Sequence, residues 1–337
     1  MTNHAAIVPS AKAQLEVITR PIPTPAPHQI LIRNRALATN PVDWKIQEHD
    51  LMIKTYPTIL GTDVAGTVEE VGASVTRFRK GDRVAAFAMF LSQMDEAGFQ
   101  EYVLANAGCS AKIPDSMSFE EGSLLPMAVA TSGVAIFANL GVPTTSGGGQ
   151  KGGFLVWSGA SSVGSGAVQI AAAMGYDVFT VASPRHHAYV KTLGAKFVFD
   201  YNNPDVVSEI VAAAKEAGTE LKLAYDAISE NGTAATCVQV LQQFGGGKLC
   251  LTLSTPEETE PPEKVEVSRT MAMRIGTDWK EGGTWLFNDW LEKALVDGSY
   301  KPSPGIQVVE GGLASVQKAL DLHRKGVSGK KLVVPLE

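Results

Sequence analysis

Two textures of apolar and polar positions divide the chain near residue 122. Before it, short apolar runs (Gln29-Ile30-Leu31-Ile32-Arg33, Val64-Ala65-Gly66-Thr67-Val68 and Arg83-Val84-Ala85-Ala86-Phe87) are set apart by Gly, Pro and Asp. That spacing predicts a compact, barrel-like β domain. After it, strand-like runs alternate with mostly helical segments: Phe154 to Trp157, Val178 to Ala182, Phe197 to Phe199, Leu223 to Ile228, Lys248 to Leu253 and Met271 to Ile275. Six strands with helical crossovers predict an α/β doubly wound parallel sheet. Further on, Trp285 to Leu295 and Leu313 to Arg324 read as helices, and Lys331 to Val334 as a last strand returning to the first domain. The expected division is 1–122 with 277–337 in one domain and 123–276 in the other. A chain of 337 residues is long enough for two cores. Pro143 to Gly149 and Pro256 to Pro262 read as connecting loops without chemistry of their own.

Composition narrows the classes. With 45% hydrophobic and 19% charged residues the chain is globular. A net charge of −6 without a Lys/Arg run argues against nucleic acid as a partner. No basic leader or lipidation signal is evident, and no apolar run is read as reaching the roughly 18 residues a membrane span needs, so a cytoplasmic protein is expected. Cys109, Cys237 and Cys250 are widely spaced and lack any CxxC, which speaks against a disulfide framework.

The most informative stretch runs from Phe154 to Ala167: an apolar strand, a turn of small residues (Ser158-Gly159-Ala160-Ser161-Ser162-Val163-Gly164), then a helix to Met174 with Gly175 as its stop. Small residues let backbone amides approach a pyrophosphate, and a helix N-terminus favours negative charge. Ser161, Ser162, Val163 and Gly164 are therefore candidate cofactor residues. A Walker A loop is excluded because Ser165-Gly166 stands where Lys-Ser/Thr is required. A ligand-free turn stays open, since a literal GxGxxG is absent. The second strand ends in Ser183-Pro184-Arg185-His186-His187, where NAD sites carry an acidic residue. Ser183, Arg185 and His186 there suit a 2′-phosphate, which predicts NADPH over NADH. A solvated basic turn is the alternative.

The motif Gly61-Thr62-Asp63-Val64-Ala65-Gly66-Thr67-Val68-Glu69-Glu70-Val71-Gly72, followed by Phe78-Arg79-Lys80-Gly81-Asp82-Arg83-Val84, resembles the signature of medium-chain dehydrogenase/reductases. The resemblance covers nearly the whole chain. It implies a GroES-like catalytic domain, a Rossmann domain and a returning C-terminal segment. Zinc alcohol dehydrogenases of that superfamily place Cys and His in the early segments. Here Asn40-Pro41-Val42-Asp43-Trp44-Lys45 fills the region of the first ligand and Thr62 stands at the histidine position, so no metal is expected.

Within the superfamily, Asn40 to Lys45, Ser161 to Gly164, Ser183 to His186 and Asp200-Tyr201-Asn202 are most similar to fungal trans-acting enoyl reductases, with quinone oxidoreductases next. The resemblance implies hydride transfer from NADPH to an activated C=C bond of a small molecule, in fungal secondary metabolism and beside a polyketide synthase. It places Val42, Asp43, Trp44 and Lys45 along the nicotinamide, Arg185 and Tyr201 at the 2′-phosphate, Leu253 and Ser254 at the carboxamide, and Val327 and Ser328 at a closing C-terminal edge. Lys45 and Thr131 are the candidate catalytic residues, an ammonium and a hydroxyl for a substrate carbonyl or cofactor ribose. Their alternatives are a solvated lysine and a helix hydroxyl bonded to its own backbone. A quinone oxidoreductase and a non-catalytic NADPH-binding protein remain alternatives for the function. Monomer and homodimer are both open.

Overall fold

The computed structural model describes residues 2–90, 93–145, 152–253 and 263–336. They form two compact units, Met1–Met127 with Met273–Gly298 and Pro302–Glu337, and Ala128–Ala272 with Ser299–Lys301.

The first unit is built mainly on antiparallel β structure, with Gly305–Val308 parallel to Lys330–Pro335. Its seven-stranded sheet runs in the order Gly305–Val308, Lys330–Pro335, Gln29–Ala38, Asp63–Val71, Arg83–Phe87, Ser110–Lys112, with Tyr102–Asn106 also paired to Gln29–Ala38. Alternation along these strands sends Ile30, Ile32, Val64, Val68, Val84, Ala86 and Val103 into one apolar cluster. A second sheet places Asn3–Val8 between Glu16–Arg20 and Thr58–Ile59. Ala5 to Val8 there join Ile46, Phe99, Leu320 and Val334 in a separate core. The helix Pro41–His49 begins with Pro at its first position, where a missing N–H costs nothing, and ends on Asp50 in the left-handed region (φ 55°). Gln47 Nε2 donates to Gln317 Oε1 (2.8 Å), and His323 Nε2 donates to the Thr39 carbonyl (3.0 Å), fastening the helix Val316–Arg324 beside it.

The second unit holds a six-stranded, all-parallel sheet in the order Ala195–Phe199, Asp177–Val181, Gly153–Trp157, Leu221–Asp226, Gly247–Leu251, Val265–Arg269. The order reverses beside Gly153–Trp157, the position at which doubly wound sheets bind ligands. Leu155, Phe179, Leu221 and Leu249 are fully buried against Ile210, Cys237 and Leu241. Phe179 stacks on Phe197 with centroids 4.4 Å apart.

Two expectations are corrected. The sixth strand is Val265–Arg269, and Met271 to Ile275 lies largely in a 3₁₀ turn, Ala272–Gly276. The true strand is an edge with alternating polar residues and carries little apolar signal. An apolar helical run long enough for a bilayer also exists: residues 119–139 span 21 residues, but 83% of the apolar window is buried inside the protein, as in a core helix. Its last residues, Val134–Asn139, are π-helical.

Candidate functional site

Strand Gly153–Trp157 delivers the chain into a turn where Ser158 takes a left-handed backbone (φ 70°), unusual for a residue with a side chain. Ser161 then caps the helix Ser162–Ala173: its Oγ accepts the Gly164 amide (3.0 Å) and donates to the Ser158 carbonyl (2.9 Å). A Cβ on Gly164 would lie 2.0 Å from the Ser158 carbonyl oxygen, so only glycine lets the turn close this tightly over the helix start. One turn on, a Cβ on Gly166 would lie 3.0 Å from Ser132 Oγ and 3.1 Å from Tyr300 Oη, which brings this helix hard against Ala128 to Ser132. Ser162 Oγ is buried and has no hydrogen-bond partner in the protein. An orphaned hydroxyl at a helix N-terminus fits a pyrophosphate, so Ser162 and Val163 are the residues that would hold one, while Ser161 and Gly164, bonded to each other, shape the turn around it.

At the end of the neighbouring strand, Ser183 Oγ and Tyr201 Oη lie 3.0 Å apart, and Arg185 Nε donates to His186 Nε2 at 3.3 Å. Arg185 is exposed and Tyr201 is 48% exposed. Burial, then the adjacent guanidinium, lower the His186 pKa, which keeps the ring a neutral acceptor for Arg185. No carboxylate lies between Ala182 and His187. Two paired hydroxyls and, two residues after Ser183, an exposed guanidinium thus stand at the strand end where NAD enzymes place an acid. Leu253 is half-buried in a bend after Gly247–Leu251, while Ser254 lies outside the described residues. Thr131 is buried, and its carbonyl accepts the Thr270 hydroxyl (2.9 Å).

In the first unit, Val42, Trp44 and Val327 are partly buried against one apolar cluster, so Val327 and the Pro41–His49 helix share a core. Lys45 Nζ lies 5.8 Å from the Trp44 ring centroid, a cation–π distance, and Ser328 is exposed. Asp43 was expected along the nicotinamide. It is fully buried, and its Oδ2 accepts the Asn40 amide at 2.7 Å, closing the reciprocal cap at the helix start.

Asn40 leads into a charged cluster that no local pattern announced. Its Nδ2 donates to Asp63 Oδ2 (2.7 Å) and Thr62 Oγ1 (3.2 Å), and Lys331 Nζ donates to Asn40 Oδ1 (2.5 Å) and Asp63 Oδ2 (2.8 Å). Lys331 is 2% exposed and Asp63 is fully buried, with Oδ1 taking the Met127 amide. The resemblance set Asn40 to Lys45 in the region of the first zinc ligand and Thr62 at the histidine position. The donors gathered there are an amide, a hydroxyl and a carboxylate already bound to an ammonium, which do not fit Zn²⁺. Among the described residues, no group of three or more His, Cys, Asp or Glu is placed for a metal ion.

Residues 26–115 match the alcohol dehydrogenase GroES-like domain, and residues 162–277 match the zinc-binding dehydrogenase domain. The chain belongs to the medium-chain dehydrogenase/reductase superfamily, whose members are nicotinamide-dependent oxidoreductases. It is 37% identical to the dehydrogenase pigH of Monascus ruber over 99% of this chain and 100% of that one. It is also 37% identical to the trans-enoyl reductase tndF of Aspergillus flavipes over 99% of both chains. An alcohol dehydrogenase superfamily protein from Novosphingobium aromaticivorans, 25% identical, superposes with a TM-score of 0.82 over 100% of both chains.

Proposed function

We propose that this protein is an NADPH-dependent enoyl or enone reductase that works without zinc. The observation that carries the reading is full-length similarity to a trans-enoyl reductase, in a chain that bonds the Lys331 ammonium to Asn40 and Asp63 beside Thr62, the residue at the histidine position. Bound NADPH supplies the hydride. The residues around it have separable tasks. Amides at the start of Ser162–Ala173 hold the pyrophosphate, with Ser162 Oγ as an additional partner. Arg185, Ser183 and Tyr201 bind the 2′-phosphate, where a guanidinium forms paired charge-assisted hydrogen bonds. Lys45 stabilises the negative charge that develops on the substrate carbonyl oxygen when the β-carbon is reduced, and Thr131 donates a hydrogen bond. The motif resemblance to fungal trans-acting enoyl reductases extends the proposal to a role in fungal secondary metabolism beside a polyketide synthase.

NADPH consumption by the chelator-treated protein with enones, enoyl thioesters, quinones and simple ketones, with products identified by mass, tests the reading. Selective saturation of C=C bonds is expected. Turnover confined to quinones or simple ketones, or dependent on added Zn²⁺, refutes it.

A further inference from the structure

The Lys331–Asp63–Asn40–Asp43 cluster is out of charge balance when both carboxyls are ionised. Two buried carboxylates face one buried ammonium, and an unmatched charge inside a protein is strongly disfavoured. Asp43 Oδ1 has no hydrogen-bond partner, whereas Oδ2 is held by the Asn40 amide. A carboxyl with one satisfied oxygen and one buried, empty oxygen is the member of the cluster that gains from carrying a proton. The charged groups facing it are Asp63 from the strand Asp63–Val71 and Lys331 from Lys330–Pro335, and Lys331 in turn faces His323 from Val316–Arg324. His323 supplies no charge near neutrality: burial, then the Lys331 ammonium, depress its pKa to about 4, against the opposing pull of its bond to Thr39. One proton on Asp43 therefore makes the cluster neutral.

We propose that Asp43, carrying that proton, is a positioning residue: it closes the N-terminus of the Pro41–His49 helix and so fixes Lys45 two residues further along, and its ionisation loosens that helix. The proposal deepens the reductase reading and rests on it only for the role of Lys45. Burial pushes the Asp43 carboxyl up to about 7 from 3.8, the Asn40 amide pulls it back, Asp63 raises it and Lys331 lowers it. A group with a raised folded pKa contributes stability that is whole below its unfolded pKa, here about pH 4, and is lost as pH rises through about 7. An opening that exposes Asp43 therefore becomes about tenfold more frequent between pH 6 and pH 8.

Amide hydrogen exchange in the intact protein reads this without any substrate. After correction for intrinsic exchange, protection of amides 42–49 should fall about tenfold from pH 6 to pH 8 in the wild type. It should stay level in Asp43→Asn, which is unable to ionise. In parallel, wild-type kcat for an enone should fall over the same interval with the KM for NADPH nearly constant, and Asp43→Asn should lack that limb. Equal wild-type protection at both pH values overturns the proposal, and this measurement decides it even if the variant fails to fold. Level protection in Asp43→Asn with an unaltered kcat profile removes the positioning role. If no acceptor is reduced, the reductase reading falls, while the exchange data still decide whether Asp43 governs the helix that carries Lys45.

Discussion

Replacing Gly164 by Ala tests the phosphate cradle by adding a single methyl group. The new Cβ would lie 2.0 Å from the Ser158 carbonyl oxygen and 2.8 Å from its carbon, and both atoms belong to backbone. Restoring ordinary van der Waals contact moves the turn by about 1.4 Å, and overpacking of this kind costs about 3 kcal/mol. Alanine returns up to about 1 kcal/mol as the better helix former. The net loss is about 2 kcal/mol, equivalent to a Tm decrease of about 4–8 °C for a unit of this size. The displaced turn also loses the Ser161-to-Gly164 cap and misaims the amides beyond it. Forfeiting one charge-assisted hydrogen bond at about 1.5 kcal/mol weakens NADPH by at least about tenfold. Thermal unfolding with and without cofactor, together with fluorescence titration of NADPH, measures both numbers. A Gly164→Ala protein with wild-type Tm and wild-type affinity would refute the argument that this close approach builds the site.

Arg185→Ala should weaken NADPH by about 10- to 100-fold, the loss of one charged hydrogen-bonding group, and leave NADH within about twofold; parallel loss of both cofactors would show that Arg185 is not a 2′-phosphate ligand. Lys45→Ala and Thr131→Ala should each lower kcat with an enone by about 10²-fold while NADPH still binds; full turnover in either variant removes that residue from the reaction. The three thiols are buried, with Cys109 pushed up to about 12 by burial and Cys237 well above its ordinary value. They should resist a thiol reagent in the native protein and react together on unfolding; rapid native labelling of any one contradicts the packing described.

Legibility followed distance along the chain. The strand, turn and helix from Phe154 to Met174 declare themselves because the apolar run, the small-residue turn and the cap that mark them are local signals. The edge strand Val265–Arg269 was displaced in expectation to Met271–Ile275 because its polar alternation is weaker to the eye than an apolar run. The charged cluster was invisible for a different reason. Lys331 lies 291 positions from Asn40, and beside Lys330 it reads as a solvated strand residue. Asp43 was assigned a ligand-facing role from resemblance, although Asn-x-x-Asp before an apolar helix is also the spacing of a reciprocal cap, a signal that local reasoning could have used.

The closing strand Lys330–Pro335 also has a consequence for biosynthesis. Gln29–Ala38 emerges from the ribosome early and pairs on one side with Asp63–Val71, yet its partner at Ala36 to Ala38 is made about 300 residues later. At about 5–20 residues per second, that leaves part of a strand edge unpaired for about 15–60 s. Throughout that interval Asp63 and Asn40 have no ammonium to enclose. The cap of the Pro41–His49 helix gains its buried counter-charge only as Lys331 arrives, so the order of translation makes this corner of the fold one of the last to become dry.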